Sequence, residues 1–150
     1  MERTLVLIKP DGVCKALIGD VIQTIEKEGF KIVGLKMIRL NEEKAEEFYR
    51  PHQGKDFFPG LIDFMLTAPS VALVAEGQGV VKRIRELIGE RKPEDAGVET
   101  IRGRHASDGR RNIVHGSDSG RSSEREIDCL FHSEELYSYQ PQDWLESEPG

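Results

Sequence analysis

Cysteine is nearly absent from this chain. Cys14 and Cys129 stand far apart, with no metal-ligand spacing around either. A small secreted domain stapled by disulfides needs more of them, so two reduced thiols in a cytoplasmic protein are expected. Long apolar runs are missing too, and nothing approaches the roughly 20 residues needed to cross a bilayer. The N-terminus offers only Leu5-Val6-Leu7-Ile8 before Lys9 and Pro10. That is too short for a secretory leader and reads as a first strand. A basic excess is also lacking: 21 Lys and Arg against 27 Asp and Glu leave a formal charge of −6. General nucleic-acid coats are usually basic, so that class of partner is not expected. No Gly-rich loop ends in Lys-Ser or Lys-Thr, which excludes a Walker-type phosphate site. Internal repeats and low-complexity stretches are absent.

The chain's 150 residues fit one domain, 1–150, with residues 138–150 expected as a C-terminal tail draped over its surface. The charge is unevenly spread. Between Lys82 and Arg125 eleven basic residues face eight acidic ones, a local surplus of three, which leaves −9 for the remainder. A solvated, arginine-rich loop accounts for this, and so does a cationic pocket for a small polyanion on an acidic protein.

Leu5 to Ile8 run without alternation, as in a strand buried on both faces or at a sheet centre. Pro10-Asp11-Gly12 is turn chemistry. Ile18, Val21, Ile22 and Ile25 then mark one face of a helix that Gly29 ends. A second strand is expected over Lys31 to Leu40, with Val33, Leu35 and Met37 on one side. Asn41 caps a helix carrying Ala45, Phe48 and Tyr49, and a short helix from Phe58 buries Leu61, Ile62 and Met65. Ser70 to Glu76 makes a third strand, and Ile84, Leu87 and Ile88 a helix closed by Gly89. From there to about Gly120 the period is lost, and so long a loop is usually functional. A helix near Ser123 and a strand over Ile127 to Phe131 complete the pattern. The order suits an α+β, ferredoxin-like βαββαβ antiparallel sheet with helices on one face and a long functional loop before the last helix and strand.

Four histidines are present, and most histidines are structural or solvated. His115 stands out in Asn112-Ile113-Val114-His115-Gly116-Ser117-Asp118-Ser119, where an apolar run delivers the ring to a turn of small residues. A neutral imidazole is a good nucleophile toward phosphorus. Its other ring nitrogen must be held, and Glu126 is a candidate, although its spacing from Ser123 favours a capping box. Phosphoryl transfer also needs fixed positive charge. Lys9 at a strand end, Arg85 on a helix and Arg102 in the long loop offer it, though arginines more often serve surface solubility.

Together with Ile8-Lys9-Pro10-Asp11-Gly12-Val13, Phe57-Phe58-Pro59-Gly60-Leu61 and Thr100-Ile101-Arg102-Gly103, the His115 segment resembles the signature set of nucleoside diphosphate kinases, in order and in register. The likeness runs from Glu2 to about Trp144. It implies ping-pong transfer of a γ-phosphoryl group from ATP or another triphosphate to a nucleoside diphosphate through His115. Glu126 would orient that ring, with Ser117 assisting. Lys9 would meet the moving group and the ribose 3′-hydroxyl, Tyr49 would lie beside His115, and Asn112 would bind the sugar. Arg85 and Arg102 would hold phosphates, and Phe57 would stack on the base. Mg²⁺ would ride on the nucleotide, with no direct protein ligand and Asp118 nearby through water. A homohexamer, or alternatively a homotetramer, is implied, with the long loop and the tail as contact elements. No nucleic-acid or membrane partner is.

Two positions depart from the pattern. Arg91 replaces a usual Thr that touches phosphate, supplying a charged fork or crowding the pocket. Gly109 replaces an apolar cover over the base. The expectation is a modestly weaker hold on nucleotide with base tolerance kept, so Gly109→Val should lower KM. Rival readings are a histidine-phosphorylated relay protein without nucleotide exchange, a ferredoxin-like nucleic-acid module and a structural assembly protein. The relay has no need of Phe57 and Asn112, and the strands lack the displayed aromatics of a nucleic-acid module.

Overall fold

Four successive β-formers with no polar partner between them need apolar cover on both sides. The strand they build, β1 (Arg3–Ile8), has it. In the computed structural model, which describes residues 1–145, β1 lies inside a four-stranded sheet of order β2-β3-β1-β4. The others are β2 (Lys31–Ile38), β3 (Ser70–Glu76) and β4 (Val114–Gly116), and every neighbouring pair is antiparallel. Leu5 and Leu7 face one core, with Ala45, Phe48, Ile62 and Met65. Val6 and Ile8 face a second, with Val21, Ile25, Ile84 and Ile88.

The ferredoxin-like α+β sheet stands as expected, but its helices are not confined to one face. Helices α2 (Ile18–Lys27) and α5 (Val80–Ile88) cover the second core, while α3 (Glu42–Phe48), α4 (Phe58–Met65) and α7 (Gly120–Leu130) cover the first. The unbroken apolar runs of β1 and β3 require that double cover.

The expected strand over Ile127 to Phe131 is the last part of α7, and the strand precedes that helix, as β4. Buried Ser123, Glu126 and Leu130 follow helical spacing. β4, three residues long, is too short to show a period of two. Nor is the stretch after Gly89 structureless: it holds α6 (Ile101–His105), capped by Thr100, whose hydroxyl accepts from the Gly103 N–H at 3.0 Å. Ser119, not Ser123, caps α7, in a box with Ser122. In β2 an irregularity between Ile32 and Gly34 breaks the alternation, so Val33 is buried while Leu35 and Met37 are exposed.

Beyond α7 the chain returns along β2. Tyr137 N–H donates to the Val33 carbonyl at 2.8 Å and the Tyr139 hydroxyl to the Ile32 carbonyl at 2.7 Å. Residues 138–145 are exposed; residues 146–150, the rest of the expected tail, are outside the described residues.

The segment read as a turn, Pro10-Asp11-Gly12, is the start of a short helix, α1 (Pro10–Cys14), with proline where a helix needs no N–H. It passes so close under the long loop that a Cβ on Gly12 would lie 2.7 Å from the Ile113 carbonyl oxygen and 2.9 Å from Ile8 Cγ2. Gly12→Ala is therefore expected to cost about 1–3 kcal/mol of stability in urea titrations, the usual range for overpacking; an unchanged midpoint would mean that the loop yields freely.

Candidate active site

Three elements converge where β1 ends. Lys9 follows β1, Asn112 and Ile113 close the long loop, and His115 sits in β4, opposite Leu7. The loop is fastened by main-chain contacts on both sides of one residue. The Lys9 N–H donates to the Ile113 carbonyl at 2.8 Å, and the Ile113 N–H donates to Asp11 Oδ2 at 2.9 Å. Ile113 is held at φ 75°, a left-handed backbone that a β-branched side chain rarely adopts. Strain of about 1–3 kcal/mol persists only where the surroundings over-determine it.

His115 is held from behind. Its Nε2 lies 2.7 Å from Glu126 Oε1, and the same oxygen accepts from Ser117 Oγ at 2.7 Å. Glu126 and Ser117 are buried, and the other carboxylate oxygen, Oε2, lies 3.7 Å from Arg125 Nη2. Glu126 is not a capping group, since the cap of α7 is Ser119 with Ser122. With Nε2 donating, Nδ1 carries the lone pair. The ring packs edge-on against Phe48 and Tyr49, at 5.1 and 6.2 Å between centroids. Tyr49 is buried with its hydroxyl toward Met65 Sδ at 3.7 Å, and burial, ahead of Glu126, pushes its ionisation well up, so it stays a phenol.

Two cavities meet at this histidine. One, of about 680 Å³, runs past Lys9, Phe57, Asn112 and Gly109; the other, of about 970 Å³, runs past Arg85, Glu90, Thr100 and Asp118. His52, Arg91, Arg102 and His115 line both. Most of the predicted residues thus come together, with different present engagements. Lys9 Nζ donates to the Arg110 carbonyl at 2.7 Å and to Asn112 Oδ1 at 2.9 Å. Burial, with Arg102 and Arg91 adding repulsion, lowers its pKa to about 7 although Asp11 and Asp108 oppose the shift. Arg102 donates to the carbonyls of Asn112, Gly89 and Val114 at 3.4, 3.1 and 2.7 Å, and burial brings its pKa to about 10. It clamps the loop as well as charging the cavity. Arg85 pairs with Asp118 at the exposed rim. Glu126 and Ser117 stand behind His115, outside the lining of both cavities.

Sequence reasoning gave no role to Asp11, although it quoted the motif containing it, nor to Gly12 or the Arg110 carbonyl. Asp11 holds a backbone N–H about a hundred residues away in sequence, and no local spacing announces that. His52 is a second addition: 5.3 Å from the Phe57 ring and beside Lys55 Nζ, it is held below its ordinary pKa by burial first and Lys55 second. Among the described residues no group of three His, Cys, Asp or Glu side chains converges to hold a metal ion.

Residues 2–136 match the family model described as nucleoside diphosphate kinase. A nucleoside diphosphate kinase of Heliobacterium modesticaldum is 48% identical over 147 residues, covering 97% of this chain and 99% of its own length. That of Pyrococcus furiosus is 47% identical, over 97% of this chain and 92% of its own. Among solved structures, the Halobacterium salinarum nucleoside diphosphate kinase in complex with CDP superposes with a TM-score of 0.90 at 42% identity, covering 93% of each chain. The Aquifex aeolicus enzyme gives 0.89 at 40%, over 91% of this chain and 99% of that one.

The lowered pKa of Lys9 has a stability signature. Between about pH 7 and 10.5 the unfolded chain binds a proton at this residue that the folded chain has lost, so folding gains as pH rises through that window. Urea melts at pH 6.5 and 9.5 should show the wild type gaining on Lys9→Met at the higher pH; parallel behaviour would mean that the amine titrates normally.

Proposed function

The chain belongs to the nucleoside diphosphate kinase family, enzymes that move phosphoryl groups between nucleotides, and from that premise we propose that it works through a phosphorylated His115. The single observation carrying this reading is the His115–Glu126 contact at 2.7 Å, which leaves one ring nitrogen free beside a cavity lined by cations.

In the first half-reaction the Nδ1 lone pair of His115 attacks the γ-phosphorus of a nucleoside triphosphate such as ATP. The bond from that phosphorus to the β,γ-bridging oxygen breaks, and the electron pair leaves with the diphosphate. Positive charge appears on the imidazole, and buried Glu126, steadied by Ser117, stabilises it. In the second half-reaction a β-phosphate oxygen of another diphosphate attacks the phosphohistidine, and the histidine recovers its lone pair. Lys9, Arg102 and Arg85 supply charge to the phosphates, and Asn112 with Lys9 meets the sugar. Phe57 gives the base a face, and Tyr49 walls His115. Mg²⁺ fits as an ion carried on the nucleotide phosphates, where it would neutralise developing charge. Asp118, one exposed carboxylate at the rim, suits outer contact through water and no more.

Self-association to a homohexamer, or alternatively a homotetramer, is part of the same proposal, and exposed Leu35 and Met37 on β2 offer apolar area for it. We read the whole chain as one such domain working in the cytoplasm. Among the described residues no helix is long and apolar enough to cross a membrane.

The test is brief incubation with γ-labelled ATP and Mg²⁺, then unlabelled GDP. Acid-labile, base-stable label is expected on the wild type and not on His115→Ala, with discharge to GTP. Glu126→Gln should slow labelling by about 10–100-fold, the usual cost of losing a carboxylate that orients a histidine. Label that GDP cannot collect would point instead to a relay protein, and label retained by His115→Ala would place the nucleophile elsewhere.

A further inference from the structure

Arg91 and Gly109, eighteen residues apart in sequence, meet in space. A Cβ built on Gly109 would find Arg91 Nη2 at 3.5 Å and Nε at 3.6 Å, so the guanidinium lies in van der Waals contact with the point where a side chain there would begin. Arg91 Nε donates to the Gly109 carbonyl at 3.2 Å, and its Cζ stands 5.7 Å from the centroid of the Phe57 ring. The backbone beneath is fixed by one residue: Asn112 Nδ2 donates to the carbonyls of both Arg91 and Gly109 at 3.1 Å, while its Oδ1 accepts from Lys9. Among the described residues no carboxylate pairs with Arg91, and its two Nη groups have no hydrogen-bond partner.

We propose that Arg91 is the second jaw of the base site, closing its guanidinium plane over a purine or pyrimidine that lies on Phe57. The proposal rests on the nucleotide reading above and adds a specificity-determining residue to it. A planar base between two faces needs about 7 Å, two contacts of about 3.5 Å each. The present separation is shorter, so the exposed arginine swings outward to admit the base and settles back on it. A guanidinium recognises the π face and not the hydrogen-bonding edge, so the grip is indifferent to base identity. Asn112 ties this jaw to Lys9, linking the base end of the cavity to the end where phosphate is handled. The same fork also lines the second cavity, so the competing role is a phosphate ligand.

Calorimetric titration of the full chain with ADP, CDP and ribose 5-diphosphate separates these roles, since the last ligand has the phosphates without the base. Arg91→Thr should raise Kd for ADP and for CDP by roughly two- to five-fold, the size of an exposed cation–π contact, and leave ribose 5-diphosphate unchanged. Gly109→Val should also weaken ADP, because the valine γ-methyls, branching from a Cβ that already touches the guanidinium, would press it away from the Phe57 face. This reverses the gain expected from the sequence. The double variant Arg91→Thr/Gly109→Val should recover toward the wild type, with valine filling the vacated room. Equal losses for ADP and ribose 5-diphosphate would make Arg91 a phosphate ligand and overturn the proposal. So would unchanged or tighter ADP binding in Arg91→Thr. A wild type that binds none of the three ligands would sink the nucleotide reading itself, and the jaw with it.

Discussion

The grip on Ile113 is the constraint from which the rest of the site follows. One residue is bonded through its carbonyl to the end of β1 and through its N–H to Asp11, in a backbone conformation it would not choose alone. With Ile113 fixed, Asn112 is aimed at Lys9 on one side, and Val114 and His115 enter the sheet beside β1 on the other. Gly12 lets the loop descend far enough for both bonds to form. A long excursion of the chain, which loop entropy would otherwise leave loose, is pinned two residues before His115.

Three of the cations around that ring are held by the main chain. Lys9 and Arg102 donate to backbone carbonyls, and Arg91 rests on another. Carbonyl dipoles fix these side chains without cancelling their charge, so the field is left for an arriving anion. Glu126 answers on the opposite side of His115. Buried and shared between Ser117 and the imidazole, it would, on the phosphohistidine proposal, steady a positively charged ring.

Much of this was legible before any coordinates. The central strand announced itself by four unbroken apolar residues; β3 kept its expected limits, buried throughout, and α5 ended at Ile88 before Gly89. Asn41 capped α3 through its own side chain, as its chemistry suggests. The motif around His115 singled out a ring that the fold places where two cavities meet, and the likeness of four segments named several of the side chains that line them. What failed was short or non-local. β4 is three residues long, so neither its place nor its order before α7 left a period to read. Glu126 has capping-box spacing from Ser123, yet both are buried inside α7; spacing favoured the cap, and it was the resemblance that named the ring it contacts on β4. Arg91 and Gly109 looked like independent departures, because contact across a loop leaves no trace in spacing.

The buried amine of Lys9 links the site to the proton balance of its medium. Near pH 7 part of the population holds it uncharged, since burial disfavours the ammonium and the Arg102 and Arg91 guanidinium groups add repulsion. An incoming polyphosphate supplies the missing counter-charge, so occupancy draws a proton from the buffer. The measured heat of association then depends on the ionisation enthalpy of that buffer, and apparent affinity declines as alkalinity increases. Acidification of the surroundings and loading of the cavity thus favour one another.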